Sequence, residues 1–193
     1  MPARRILITG AGSGIGAELA VLLAAAGHEI VATDIDRAAA LRVADDIVER
    51  GGTASGYGLD VTQPSAIETA VRAAGRVDVL VNNAGLQHVA RLEEFPADRW
   101  AFLIAVMLTG AANMARAVLP GMRARNFGRI VNIGSIHSLV ASPYKSAYIA
   151  AKHGLIGLSK TLALENGDVD VTVNTICPVY VRTPLVEKQI EAQ

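Results

Sequence analysis

The sequence predicts one α/β domain, spanning residues 1–193, that is built on a doubly wound parallel sheet. Two observations support this fold class: short apolar strands alternate with longer helical segments, and no linker, repeat or low-complexity tract interrupts the alternation. A chain of 193 residues is long enough for one such domain with a sizeable core. Short turn sequences such as Gly51-Gly52 and Asn166-Gly167 only separate neighbouring elements.

Strands and helices are predicted in strict alternation. The strands are short aliphatic and β-branched runs near Arg5–Thr9, Glu29–Thr33, Thr53–Leu59, Val77–Val81, Gly128–Ile133 and Asp170–Ile176. The helices are the segments near Gly14–Ala26, Ala38–Arg50, Ser65–Ala74, Asp98–Arg125 and Ser142–Glu165. The stretch Trp100–Ala115 lacks charged residues but is shorter than the ~20 residues that span a bilayer. We interpret it as a helix buried in the core and against a partner subunit.

Composition and charge exclude several classes of partner. The 18 basic and 18 acidic residues cancel to a net charge of 0, so we expect neither nucleic acid nor a membrane surface as a partner. The one cysteine, Cys177, has no partner for an internal disulfide, and we interpret it as a small buried hydrophobe. A chain with a single cysteine suits a reducing compartment, so we expect a cytoplasmic protein. We also expect no metal site.

A glycine-rich turn, Thr9–Gly16, joins the first strand to the first helix. Backbone N–H groups and the helix dipole make such a turn a binding site for a diphosphate, and the glycines allow a cofactor to approach closely. Taken alone, the turn has an ordinary strand–helix connection as its alternative explanation. The predicted dinucleotide-binding residues of this turn are Gly10, Ser13, Gly14, Ile15 and Gly16.

Asp34 follows the second strand, about 20 residues beyond the glycines. An acidic residue at this place suits the ribose hydroxyls of NAD and repels the 2′-phosphate of NADP. Arg37 is the nearby residue that argues for NADP. We weigh Asp34 more heavily and predict NAD as the cofactor.

A serine, a tyrosine and a lysine are the candidate catalytic residues. Tyr148 and Lys152 stand four residues apart in a segment of helical composition, so both side chains lie on one face of a helix. A phenol beside an ammonium ionises more easily, because the positive charge stabilises the phenolate. Ser135, thirteen residues before Tyr148 at a strand end, is placed to hydrogen-bond the same substrate oxygen. An exposed surface pair is the commoner explanation of this spacing alone; the glycine-rich turn favours the catalytic one.

Together these motifs resemble the short-chain dehydrogenase/reductase family. Asn82–Gly85 resembles the family's Asn-Asn-Ala-Gly element, and the resemblance runs from Arg5 to about Ile190. It implies a Rossmann-like fold and NAD-dependent dehydrogenation, in which Tyr148 is the general base, Ser135 hydrogen-bonds the reacting oxygen and Lys152 holds the nicotinamide ribose. The resemblance also implies cofactor contacts at Asp60, Val61, Asn83, Ala84, Gly85, Tyr148, Lys152, Pro178 and Thr183.

Several polar residues follow the strand ends and indicate the substrate. Lysine, histidine and amide donors suit a small carboxylate. The family resemblance implies carboxylate binders at Gln87, His137, Lys145 and Gln189, beside Ser135 and Tyr148, and His88 is not among them. Within the family, this chain resembles members that reversibly oxidise D-3-hydroxybutyrate to acetoacetate. Two alternatives stay open: another small hydroxy or oxo acid, or a non-catalytic nucleotide-binding or interaction protein.

Three features depart from the family pattern. Met107 stands where the family usually has an asparagine that anchors a water next to the catalytic lysine, so we expect a weaker proton relay. Val179 replaces a glycine after the sixth strand, and valine is strained if the turn needs a positive φ. The sequence ends at Gln193, so we expect the family's substrate lid, last helix and edge strand to be missing. Helices 98–125 and 142–165 are expected to pair subunits into a homodimer or homotetramer.

Overall fold

The computed structural model describes residues 2–181 and shows a parallel sheet of six strands. The strands are β1 Arg5–Thr9, β2 Glu29–Asp34, β3 Thr53–Gly58, β4 Val79–Asn82, β5 Gly128–Ile133 and β6 Val171–Ile176. They lie in the order β3-β2-β1-β4-β5-β6, and every neighbouring pair is parallel. The doubly wound sheet is thus confirmed. Its strand order reverses between β1 and β4, which is where open α/β sheets bind ligands.

Six α-helices connect the strands of the described part of the chain. They are α1 Gly14–Ala25, α2 Arg37–Glu49, α3 Pro64–Ala74, α4 Ala97–Ile104, α5 Gly110–Ala124 and α6 Ser146–Glu165. A π-helical segment, Ala105–Thr109, joins α4 to α5, so the predicted helix over 98–125 is continuous but contains one wider turn. Apart from the start of α6, the boundaries of the elements shared with the sequence prediction differ from it by at most two residues.

The predicted start of the last helix at Ser142 is wrong, because α6 begins at Ser146. Pro143 disfavours a helical conformation for the residue before it. Tyr144 then adopts a left-handed backbone conformation with φ of 68°, which interrupts any right-handed helix. Residues 142–145 therefore form a loop that leads into α6.

Helices cover both faces of the sheet, and β1 shows how the sequence specifies this. Ile8 packs toward Ala20 of α1, and α2 lies beside α1 on that face. Leu7 points to the other face, where it joins Ile67 of α3 and Met114 of α5 in the larger cluster. The side chains of Leu7 and Ile8 are both fully buried, as expected for a central strand covered on both sides.

The 28-residue helical run Ala97–Ala124 is long and apolar enough to cross a membrane by length and composition alone. The expectation that this region is too short rested on the uncharged stretch 100–115 and is wrong for the whole run. Its buried residues nevertheless pack onto the sheet and α6: Leu103 and Met107 in one cluster, Met114 and Met122 in another. The run is therefore a core helix of this fold.

A line of buried polar side chains connects the sheet to α6. Asn82 Nδ2 donates to Asn132 Oδ1 at 2.8 Å, and Asn132 Nδ2 donates to Ser159 Oγ on α6 at 2.8 Å. Ser159 also lies 2.7 Å from Thr175 Oγ1 on β6. Asn132 is only 1% exposed, so each of these groups depends on its neighbours for a hydrogen bond.

Asn132→Ala should lower the free energy of unfolding by roughly 2–4 kcal/mol, because it removes two buried hydrogen bonds and opens a small cavity. Urea titration followed by circular dichroism measures the change. Asn174→Ala, at an exposed position of β6, is the control and should change stability by less than about 0.5 kcal/mol. Equal effects of the two substitutions would contradict a structural role for the buried line.

Candidate active site

A cavity of about 310 Å³ opens at the carboxyl ends of β1, β4 and β5. Two motifs that are distant in the sequence meet in this cavity. The glycine-rich turn lies on one side, and the serine, tyrosine and lysine lie on the other. The predicted site residues in its lining are Gly10, Ser13, Gly14, Ile15, Asp34, Asn83, Gly85, Ser135, Tyr148, Lys152 and Pro178. A single ligand in this cavity would therefore contact both groups.

Close packing explains why the turn after β1 consists of glycines. A Cβ atom added at Gly16 would lie 2.3 Å from the carbonyl oxygen of Gly10, which the chain does not tolerate. Gly10 itself has φ of 64° and packs against the backbone of Ala84. Asn83 Nδ2 donates to the carbonyl oxygens of Thr9 and Gly10 at 3.0 and 2.9 Å. The Asn83 carboxamide thus holds the turn in place from the end of β4.

The N-terminus of α1 is suited to an anion. Its N-cap residue, Ser13, makes no side-chain hydrogen bond to the first turn, so backbone N–H groups there are left for another acceptor. α1 extends from Gly14 to Ala25, long enough for its dipole to favour negative charge at this end. Because Ser13, Gly14 and Ile15 line the cavity, the geometry fits the diphosphate of a dinucleotide.

Asp34, at the end of β2, lies at the edge of the cavity. Its carboxylate accepts hydrogen bonds from the backbone N–H groups of Gly12 and Asp36 at 2.9 and 3.0 Å. These bonds fix its orientation beside the turn. Arg37 is exposed at the start of α2, where its aliphatic stem packs beside Gly58, and it does not line the cavity.

Asp60 and Val61 lie just after β3, outside the lining of the cavity. Asp60 Oδ1 accepts hydrogen bonds from the backbone N–H and the hydroxyl of Thr62, at 2.8 and 2.7 Å, and so shapes the turn. Val61 is buried where α5 approaches closely at Gly110. Their contact with a cofactor stays a prediction.

Ser135, Tyr148 and Lys152 meet at the end of β5. Ser135 begins the segment after β5, and α6 presents Tyr148 and Lys152 one turn apart. Lys152 Nζ donates to the carbonyl oxygen of Ile133 at 2.5 Å and lies 5.6 Å from the centroid of the Tyr148 ring. The predicted proximity of the three side chains is present.

The direction of the Tyr148 pKa differs from the expectation. Burial raises the pKa of the Tyr148 phenol, and its hydrogen bond with Ser135 opposes this. Burial also lowers the pKa of Lys152 to about 8, so this lysine holds its proton less firmly than an exposed one. The expectation considered the charge of Lys152 but not the burial of the phenol, and Lys152 itself is only 5% exposed.

His137 lies beside the catalytic group. Its Nδ1 is 3.5 Å from Ser135 Oγ, and its ring packs edge-on against the Tyr148 ring with centroids 6.1 Å apart. Nε2 forms a short hydrogen bond with the hydroxyl of Ser142. Burial lowers the pKa of His137, and the positive charges of Lys145 and His153 lower it further.

The other predicted carboxylate binders do not line the cavity or lie outside the described residues. Gln87 and Lys145 lie on the segments next to the cavity but are not part of its lining. The side-chain oxygen of Gln87 is buried and has no hydrogen-bond partner within residues 2–181. His88 packs edge-on against the Phe95 ring, with ring centroids 4.8 Å apart. Thr183 and Gln189, both predicted ligand contacts, lie outside the described residues.

The two substitutions that depart from the family pattern have different surroundings. Val179 does not have a positive φ, so the expected backbone strain is absent there. Met107 is buried in the π-helical segment with Leu103 and Ala147, and it borders a small internal cavity that Asn82 and Lys152 also line. Asn82 Oδ1 is buried without a hydrogen-bond partner within residues 2–181.

Two residues of the site did not emerge from the sequence. The hydroxyl of Thr9 accepts hydrogen bonds from the backbone N–H groups of Asn83 and Ala84, at 3.0 and 3.1 Å, which join β1 to β4. Ser142 contacts His137 across a loop. The position of Thr9 directly before the glycine turn was a usable signal, whereas no local pattern marks Ser142.

Comparisons with known proteins identify the family of this chain. Residues 4–193 match the family model described as short chain dehydrogenase. The D-beta-hydroxybutyrate dehydrogenase of Cupriavidus necator is 48% identical over 97% of this chain and 74% of its own length. The enzyme of the same name from Rhizobium meliloti is 47% identical over 97% of this chain and 75% of its own length.

Solved structures give the same class. A short-chain dehydrogenase/reductase from Burkholderia phymatum in complex with NAD superposes with a TM-score of 0.92 at 31% identity, over 97% of this chain and 69% of that one. A gluconate 5-dehydrogenase from Burkholderia cenocepacia, in complex with NADP and tartrate, has a TM-score of 0.94 at 35% identity, over 99% and 76%. The fold and site thus define a dinucleotide-binding oxidoreductase. The chain belongs to the short-chain dehydrogenase family.

Lys152→Met should flatten the pH dependence of stability between about pH 8 and 10. In the wild type, burial holds the pKa of Lys152 at about 8, whereas the unfolded chain keeps this proton up to about pH 10.4. The unfolded state therefore binds more protons over this interval, and wild-type stability rises with pH by on the order of 2 kcal/mol relative to the variant. Urea titrations of both proteins at several pH values measure this difference, and parallel curves would contradict it.

Proposed function

We propose that this protein catalyses the reversible oxidation of D-3-hydroxybutyrate to acetoacetate with NAD. The observation that carries the proposal is the position of His137, which contacts both Ser135 and the Tyr148 ring. A donor this close to the proton-transfer group suits a substrate whose carboxylate is only a few bonds from its hydroxyl group. The two relatives at 47–48% identity that are named D-beta-hydroxybutyrate dehydrogenase support the same substrate.

In the proposed reaction, Tyr148 takes the proton of the substrate hydroxyl. Ser135 donates a hydrogen bond to the same oxygen as it becomes a carbonyl. Without substrate, the Ser135 hydroxyl instead hydrogen-bonds Tyr148 and lowers the pKa of the phenol against the effect of burial. NAD supplies the acceptor for the hydride that leaves the substrate carbon. Lys152, when charged, favours the phenolate through its position beside the ring. General-base assistance of this kind contributes about 10²–10⁴ in rate.

Gln87, His137, Lys145 and Gln189 are proposed to bind the substrate carboxylate. Such contacts orient a small substrate relative to Tyr148, which matters because the substrate has few other groups to hold. The side-chain oxygen of Gln87 is buried and has no hydrogen-bond partner within residues 2–181, and the charge of Lys145 acts on His137 nearby. These residues lie on the segments after β4 and β5 and at the start of α6.

NAD is proposed as the cofactor rather than NADP because of Asp34. Two backbone hydrogen bonds hold its carboxylate at the edge of the cavity. A fixed negative charge there accepts the ribose hydroxyls and repels a 2′-phosphate. The solved relatives contain NAD in one case and NADP in the other, so the fold is compatible with both cofactors and the proposal rests on Asp34.

We also propose a cytoplasmic homodimer or homotetramer that pairs through the helices at 98–125 and 142–165. Only 44% of the most apolar window in the run Ala97–Ala124 is buried inside the chain, which leaves apolar surface for a partner subunit. Single Cys177 suits a reducing compartment. Another small hydroxy acid is the second candidate substrate, because a relative by structure is a gluconate 5-dehydrogenase.

The test is reduction of NAD by the purified protein with D-3-hydroxybutyrate, using the L-enantiomer as the control. We expect turnover with the D form only. Tyr148→Phe should lower kcat by roughly 10²–10⁴ while NAD binding, measured by calorimetry, stays nearly unchanged. Turnover of a panel of other hydroxy acids without turnover of D-3-hydroxybutyrate would reject the proposed substrate, and an active Tyr148→Phe variant would reject the proposed base.

Asp34→Ala should reduce the preference for NAD over NADP by roughly tenfold, because it removes the charge that repels the 2′-phosphate. The ratio of kcat/KM for the two cofactors measures the effect and cancels any general loss of activity. An unchanged ratio would show that cofactor choice is made elsewhere, for example at Arg37.

A further inference from the structure

Ser142 has no part in the reaction as described, yet its hydroxyl contacts the site. It lies in the loop that precedes α6 and hydrogen-bonds Nε2 of His137. The other ring nitrogen, Nδ1, faces Ser135 Oγ at 3.5 Å. His137 is therefore held between two hydroxyl groups, one catalytic and one outside the catalytic group.

The direction of these hydrogen bonds matters because a neutral imidazole has one donor and one acceptor nitrogen. If Ser142 donates to Nε2, the ring proton is on Nδ1 and faces Ser135 and the substrate side. If Nε2 carries the proton instead, Nδ1 presents a lone pair there. A lone pair repels a carboxylate and competes for the hydroxyl hydrogen of Ser135, which Tyr148 and the substrate oxygen need.

The hydrogen bonds of Ser135 are compatible with a ring proton on His137 Nδ1. Its Oγ already accepts a hydrogen bond from the backbone N–H of His137 at 3.1 Å, and its own hydrogen is directed at Tyr148. The distance of 3.5 Å from Nδ1 to Ser135 Oγ is at the limit of a hydrogen bond, so an Nδ1–H group stays available to a substrate carboxylate.

We propose that Ser142 is a positioning residue that donates its hydroxyl hydrogen to His137 Nε2 and thereby keeps a hydrogen-bond donor, Nδ1–H, facing the substrate carboxylate. The tautomer part of the proposal rests on the Ser142 contact and does not depend on the proposed function. The effect on substrate binding rests on the proposed function, in which His137 binds the carboxylate.

The proposal predicts a pH dependence that a structural role would not give. Above its pKa, His137 is neutral and needs Ser142 to select the tautomer. Below it, both ring nitrogens carry protons and Nδ1–H is present whether or not Ser142 is there. The groups facing His137 are Lys145, His153 and the Tyr148 ring. Burial and the neighbouring charge of Lys145 lower the pKa of His137, which favours the neutral ring near neutral pH.

The experiment compares Ser142→Ala with Ser142→Thr, which keeps the hydroxyl. For Ser142→Ala we expect KM for the hydroxy acid to rise roughly two- to tenfold near pH 8, with a smaller change in kcat. The ratio to wild type should fall toward one as the pH is lowered through the pKa of His137, and Ser142→Thr should restore most of the wild-type KM. A rise in KM that is the same above and below this pKa would overturn the proposal.

A second measurement needs no substrate. Two-bond ¹H–¹⁵N spectra of the four ring systems, with His137 assigned from a His137→Gln spectrum, report which nitrogen carries the proton. The wild type should show Nδ1–H, and Ser142→Ala should shift His137 toward the other tautomer. Wild-type Nε2–H, or no change in the variant, would overturn the proposal. Failure of the D-3-hydroxybutyrate assay alone would leave this result intact and reject only the substrate.

Discussion

The place of α6 on the sheet is the constraint on which the rest of the site depends. This helix carries both Tyr148 and Lys152, and the hydrogen bonds of Asn132 and Ser159 attach it to β5. Ser159 lies two turns after Lys152 on the same face, and both side chains are buried. The polar line therefore sets the depth at which α6 presents the phenol. An apolar contact at the same place would allow α6 to slide along the sheet. Directional hydrogen bonds between buried groups instead hold α6 in one position relative to β5.

Burial at the same place has an electrostatic cost. Lys152 is the only lysine among the buried residues of the described chain, and its Nζ bonds a backbone carbonyl rather than a carboxylate. Burial lowers its pKa to about 8 and raises that of Tyr148, so burial shifts each group toward its neutral form. The ammonium of Lys152 opposes this shift at Tyr148, because a positive charge favours the phenolate. The hydrogen bond from Ser135 acts in the same direction as the ammonium, since it also stabilises the phenolate.

The sequence was sufficient for the sheet and for most of the site. The glycine turn, Asp34 and the spacing of Tyr148 and Lys152 are local patterns, and the rule that ligands bind at the carboxyl ends of parallel strands places them together. The features that could not be predicted depend on distant contacts. The π-helical segment Ala105–Thr109, the Ser142 contact with His137 and the direction of the Tyr148 pKa all follow from how α6 packs, which no short segment encodes.

Selection of the substrate rests on loops rather than on the fold, because the same sheet serves many reactions. The segment after β4, which contains Gln87, is joined to the loop before α6 by one backbone hydrogen bond, from Ala90 N–H to the carbonyl oxygen of Tyr144 at 3.0 Å. The Arg91 guanidinium also lies over the Tyr144 ring at 5.5 Å. Lys145 follows directly, so the left-handed conformation of Tyr144 sets the approach of both segments. A change of loop sequence here would alter which acid binds while the proton-transfer group on α6 stays where the buried polar line holds it.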